Sequence, residues 1–173
     1  MSVQYGRALG RFLVFALMGL LFEVFFGAVL NLRAGNWNMH GASSPWMMFD
    51  YGLLGLVLMP IARPMIRRRI PLPARAFVYM IGIFVVEFVS GWIFDRCGLR
   101  IWDYSHLPYN LYGYISPQFI PLWYGLGLAA EYLYRKVDMV SLALVRGVTA
   151  EQIETLDGSN DPARTRPRGP ASQ

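Results

Sequence analysis

Four stretches of this chain are nearly free of charge, and each is bounded by polar or basic residues. Across residues 12–32 the only charged side chain is Glu23. An α-helix over that stretch is ~30 Å long, enough to cross a bilayer core. A second stretch, 46–62, is shorter and carries Asp50 near its start and Pro60 near its end. The third, 76–94, holds Glu87 alone. The fourth, about 117–134, has Pro117 and Pro121 in its first turns, where a missing N–H costs nothing. The pattern predicts an all-α integral membrane protein with four transmembrane helices. The first stretch is too long for the apolar core of a signal peptide, contains a carboxylate and lacks a small-x-small cleavage site, so it is read as a retained span.

The segments between are polar. Residues 31–45 form a loop with Gly35, Gly41, Ser43 and Ser44. Residues 63–75 combine Arg63, Arg67, Arg68, Arg69 and Arg75 with Pro64, Pro71 and Pro73, which predicts a basic turn and not a helix. Residues 95–116 form a second loop, rich in Trp, Tyr and Pro. Beyond the membrane domain (1–137), residues 138–157 predict a short cytoplasmic or interfacial helix. The apolar part, 138–148, either lies along the membrane surface or continues the fourth helix. Thr149 and Gln152 have capping-box spacing. The tail, 158–173, has the composition of disorder.

Composition agrees with this reading. Of 173 residues 55% are hydrophobic and only 16% charged, too apolar for an ordinary soluble domain. The single cysteine, Cys97, has no partner in the chain for a disulfide or a metal pair. The net charge of +5 matters through its placement. Thirteen of the sixteen basic residues fall at the N-terminus, in the central turn and after the fourth span; Arg33, Arg96 and Arg100 are the others. The positive-inside rule then puts both termini in the cytoplasm and the two polar loops outside. In a bacterium this is the inner membrane. The arginines flank apolar segments and form no patch for nucleic acid.

The chain repeats itself. Arg11, Glu23 and Gly27 recur as Arg75, Glu87 and Gly91, 64 positions later. Trp37 and Trp102 follow, and Tyr51-Gly52-Leu53-Leu54-Gly55-Leu56 is echoed by Tyr124-Gly125-Leu126-Gly127-Leu128. This order predicts two tandem two-helix units, about 11–62 and 75–135. Each acid follows its arginine by 12 residues, or ~18 Å of helix, which puts both near mid-membrane.

A carboxylate at that depth must be protonated, paired or wet. Gly19, Glu23 and Gly27 share a helix face, so another helix can approach closely beside the acid; Glu87, Gly91 and Asp95 form the same kind of ladder. Glu23 and Glu87 are therefore candidates for one polar pocket. Trp102-Asp103-Tyr104-Ser105, with Arg96, Arg100 and Asn110, adds candidate binding groups at the outer interface. An aromatic belt, with Asp103 bonding its own turn, is the structural alternative. Arg96 and Arg100 have Asp95 and Asp103 as partners in reach, or an anionic head group. If the protein is an enzyme, its candidates are Glu87 as general acid with Asp103 or Tyr104 assisting. Glu131 and Arg135 form a favourable i,i+4 pair of structural kind. His40 and His106 are too few for a metal site, and no cofactor motif is present. Three classes of function follow: a transporter-like component, working as a homo-oligomer or with a partner subunit among membrane lipids; an intramembrane acid–base enzyme acting on a lipid or isoprenoid; and a structural or assembly factor.

Two resemblances bear on that choice. Glu87-Phe88-Val89-Ser90-Gly91-Trp92, Trp102-Asp103-Tyr104-Ser105, Pro108, Asn110, Gly113 and Pro121-Leu122-Trp123 resemble the signature of the Putative ABC-transporter type IV (CmpB-like) family, which includes the animal transmembrane protein 229 group. Gly41-Ala42-Ser43-Ser44-Pro45-Trp46 and Tyr51-Gly52 resemble its first half, with Ala42 where the animal pattern has histidine. The family name implies a permease, and the chain has no ATPase motif of its own. A shorter pattern, Glu87, Gly91, Trp102, Tyr104, Pro121 and Trp123, is similar to one in carotenoid hydratases and lycopene cyclases, which implies protonation of an isoprenoid.

Overall fold

A computed structural model describes residues 3–149 together with 151, 152, 154 and 155. Four helices make up nearly all of it: α1 (Val3–Arg33), α2 (Met47–Arg67), α3 (Leu72–Arg96) and α4 (Ile120–Arg146), the last entered through a 3-10 turn at Pro117–Phe119. There is no strand among the described residues beyond an isolated bridge between Leu111 and Ile115. Three helices, α1 to α3, are long and apolar enough to cross a membrane. In α4 the apolar run is interrupted by Glu131, Arg135, Lys136 and Asp138. Large apolar side chains such as Leu13, Leu21, Phe25, Val85 and Val89 point outward. Such a surface suits lipid and not water, while the helices satisfy their own backbone groups.

The helices pack as α1 on α2, α3 on α4 and α1 on α4, whereas α2 and α3 touch only lightly. Phe15, Leu58, Ala62, Tyr79, Tyr134 and Val137 form the buried core, in the half of the bundle that carries the arginines. Close approach depends on missing side chains. A Cβ on Gly55 would lie 2.8 Å from the Arg11 backbone, and one on Gly127 would lie 2.7 Å from the Ala76 carbonyl oxygen.

Two expectations are corrected, and between them an open alternative is decided. First, residues 63–67 are helical: α2 continues through Pro60 and Pro64 to Arg67. The turn is confined to 68–71, and the Arg69 and Ile70 N–H groups close the helix end on Ile66 and Met65. Met59, Met65 and Ile66 pack on the core, and that burial outweighs the proline penalty. Second, α4 runs without a break across 137 and 138 to Arg146. Of the two readings of 138–148, continuation of the fourth helix holds, because Val137 and Ser141 are buried and Asp138 is paired with Arg7 and Arg11. Third, Glu131 bonds Arg75 at 2.7 and 3.0 Å and Tyr79 at 2.7 Å, on a neighbouring helix, instead of pairing with Arg135 along its own. The capping box is present, with Thr149 N–H donating to Gln152 and Gln152 N–H to Thr149. The expected disordered tail lies outside the described residues.

Candidate functional site

Glu23 lies in the C-terminal half of α1, where the first loop folds back onto the helix. Gly41 makes this possible: a Cβ there would sit 1.8 Å from the Val24 carbonyl oxygen, so only glycine fits. The fold-back delivers the Ser43 hydroxyl to Glu23 Oε2 at 2.7 Å. From α2, the Tyr51 ring crosses the bare face of Gly19, and its hydroxyl reaches the same oxygen at 3.4 Å. Of the two glycines expected to admit a second helix, Gly19 does so, with Tyr51 of α2, whereas Gly27 is approached by the loop at Gly41.

Glu87 is more enclosed, at 7% exposure. Trp123, one turn into α4, donates its indole N–H to Glu87 Oε2 at 3.0 Å. The second loop covers this acid from the C-terminal end of α3. Trp102 packs over Gly91 and donates to the Tyr114 carbonyl at 2.9 Å, which fixes the indole plane. The Tyr104 ring lies 4.8 Å from that of Phe119, and burial, with Glu87 and Glu23 nearby, pushes its phenol pKa up.

These groups enclose one cavity of about 240 Å³, whose wall includes Glu23, Glu87, Tyr51, Trp102, Tyr104 and Trp123. A smaller space of about 40 Å³ adjoins it, sharing Tyr51, Glu87 and Trp123 and adding Asp50. Asp50 is 9% exposed; the nearby Ser90 hydroxyl is given to the Val86 and Glu87 carbonyls, which leaves Asp50 Oδ2 without a hydrogen-bond partner among the described residues. Three carboxyl groups thus converge here from α1, α2 and α3.

The remaining candidates are built into the second loop itself. Asp103 Oδ1 accepts the Ser105 N–H at 2.9 Å and its other oxygen pairs with Arg100 at 3.2 Å. The Ser105 bonds, with a smaller contribution from Arg100, hold the Asp103 carboxyl below the usual aspartate range. Asn110 donates to the Leu107 and Ser105 carbonyls and accepts from the Gly113 N–H. Arg96 lies over the Trp92 ring, 5.4 Å from its centre, while Asp95 accepts from Tyr114 at 2.9 Å, which raises that phenol's pKa. Among the sequence candidates, Glu23, Glu87, Trp102 and Tyr104 face the cavity; Asp103, Ser105, Asn110, Arg96 and Arg100 are not in its wall. Ser43, Asp50, Tyr51 and Trp123 also border the acids; none of them is among the expected binding residues, although Trp123 stands in both resemblances and Tyr51 in the repeat. Tyr51 and Trp123 carry a signal, since each lies on the helix that follows an acid-bearing one.

The fold defines a class: a helical membrane protein, here with a mainly aromatic and apolar cavity that two acids border. Residues 11–153 match the family described as Putative ABC-transporter type IV, and the chain belongs to that family. It is accordingly an integral membrane protein of transporter type. No solved structure matches it.

Proposed function

We propose that the chamber between Glu23 and Glu87 is the substrate site of this transporter-like protein, built where two tandem two-helix units meet, with all four helices crossing the membrane. The observation that carries the reading is the matched environment of the two acids. Each accepts a hydrogen bond from an aromatic side chain of the following helix, Tyr51 for Glu23 and Trp123 for Glu87. The acids are 64 positions apart, and Tyr51 and Trp123 are 72 apart, as are the close-approach glycines Gly55 and Gly127. That register differs by one from the Tyr51–Tyr124 echo in the sequence. Two units of two spans keep the same orientation, so their axis runs along the membrane normal. The spread of arginines supports cytoplasmic termini, with the chamber toward the outer face. A reporter fused after Ser105 is expected to read as external, and a cytoplasmic signal would overturn the orientation.

Four helices make a thin pathway, so the reading includes a homo-oligomer or a partner subunit, which would also carry any ATPase. The enzymatic alternative, acid–base work on a lipid or isoprenoid, keeps Glu87 and Tyr104 in one chamber but loses Asp103 to its own turn. A purely structural role leaves Asp50 Oδ2 unexplained. The test is the lipid and metabolite profile of cells lacking the protein, complemented with wild type, Glu23→Gln or Glu87→Gln. Both variants are expected to accumulate in the membrane and fail to restore the profile. Full restoration by both would sink the reading.

A further inference from the structure

We propose that the ligand is a single-chain amphiphile with a cationic nitrogen head, the head in the acid chamber and the chain in an apolar groove between α2 and α3. This rests on the chamber being the substrate site and adds the class of molecule. Three spaces adjoin in sequence. The chamber shares Met47, Tyr51, Glu87 and Trp123 with the small Asp50 space. That space shares Leu54, Ile83, Val86 and Leu126 with a third, of about 450 Å³. The third is walled by aliphatic and aromatic side chains, and it exists because α2 and α3 pack so lightly.

Polarity therefore falls from space to space: Glu23 and Glu87 wall the chamber, Asp50 and Glu87 wall the small space, and no carboxyl group walls the third. No Arg, Lys or His is among the residues walling any of the three spaces. An anionic head would meet carboxyl groups and no donor stronger than a hydroxyl or an indole. A cationic nitrogen would give Asp50 Oδ2 a partner and relieve the crowding of three acids. Trp102, Trp123 and Tyr104 also wall the chamber, and aromatic rings attract a cation placed over their faces. An aliphatic chain in the groove would replace the contacts that α2 and α3 do not make with each other.

The experiment uses the full chain in nanodiscs and dodecylamine brominated on its chain, which quenches tryptophan emission on contact and is charged at neutral pH. Saturable quenching is expected, displaced by unbrominated dodecylamine but not by dodecyl phosphate or by propylamine. Asp50→Asn is expected to weaken binding about tenfold or more, through loss of a buried charged partner. Gly82→Phe should do the same, because a side chain at Gly82 meets nothing within 4 Å and projects into the groove. If Gly82→Phe does not fold, Asp50→Asn and the displacement series still decide. Equal displacement by dodecyl phosphate would overturn the proposal, as would binding unchanged in both variants. So would a Gly82→Phe protein that falls from dimer to monomer with quenching intact, since a second copy would then fill the groove. If dodecylamine does not bind but Glu87→Gln still fails to restore the cellular profile, the ligand class falls and the transport reading stands. If dodecylamine binds but Glu87→Gln fully restores the profile, the ligand class stands and the transport reading falls.

Discussion

The two ends of this bundle treat buried acids in opposite ways. At the arginine-rich end, Glu131 is held by Arg75 and Tyr79, and Asp138 lies between Arg7 and Arg11. At the other end Glu23, Asp50 and Glu87 form no salt bridge among the described residues; Glu23 and Glu87 have only hydroxyl or indole donors. A paired acid has its desolvation offset by its partner, and removing either partner exposes the whole cost. An acid with weak donors remains able to gain from a guest. The first arrangement fixes helices against one another, and the second leaves a chamber with an unmet demand for a positive or hydrogen-bond-donating group.

Substitutions at the two ends should therefore fail differently. The largest effect on stability is expected at the paired end. Glu131→Gln removes the charged partner of the half-buried Arg75 guanidinium and should cost about 2–3 kcal/mol, with lower membrane accumulation and earlier thermal unfolding in detergent. Next comes Trp123→Phe, which removes the indole donor from enclosed Glu87 and should cost about 1–2 kcal/mol in the same unfolding measurement. Tyr51→Phe should cost less, since its bond is long at 3.4 Å and Ser43 still serves Glu23. An equal cost at Tyr51 and Trp123 would mean that the hydrogen bonds are not what distinguishes them. The smallest effect belongs to exposed Asp103. Because its folded-state pKa is lowered, its contribution is full above the ordinary aspartate value of about 3.9 and fades as pH falls through the lowered one. Only the second loop should respond, read as faster amide exchange at Ser105; a response across the whole bundle would contradict this.

What the sequence disclosed follows the same division. The helical segments, and the acids within them, are legible because a lone carboxylate in an apolar run stands out against its neighbours. Proline misleads at residues 63–67, where packing of Met65 and Ile66, a tertiary effect, keeps α2 helical. Glu131 is visible as an acid, but its true partner, Arg75, is 56 positions away, beyond the reach of i,i+4 reasoning. In the second loop the Trp-Asp-Tyr-Ser block reads as one cluster in sequence, yet the backbone splits it. Trp102 and Tyr104 turn inward to the cavity, while Asp103 and Ser105 bond within the turn. Alternation of side chains along an extended segment produces that split, and it can be read only once the loop's direction is known. Asp50 stands out in the sequence only as a charge near a helix start; its enclosure depends on how α2 sits against α3.

The decisive comparison sets Glu87→Gln beside Glu131→Gln in cells lacking the native protein, measuring for each the amount in the membrane and the lipid and metabolite profile. Glu131→Gln is expected to lose the profile because protein is lost. Glu87→Gln is expected to accumulate as wild type does and still leave the profile unrestored. A Glu87→Gln protein that restores the profile at normal abundance, or that is depleted as strongly as Glu131→Gln, would show that the chamber acids serve the fold and not a ligand.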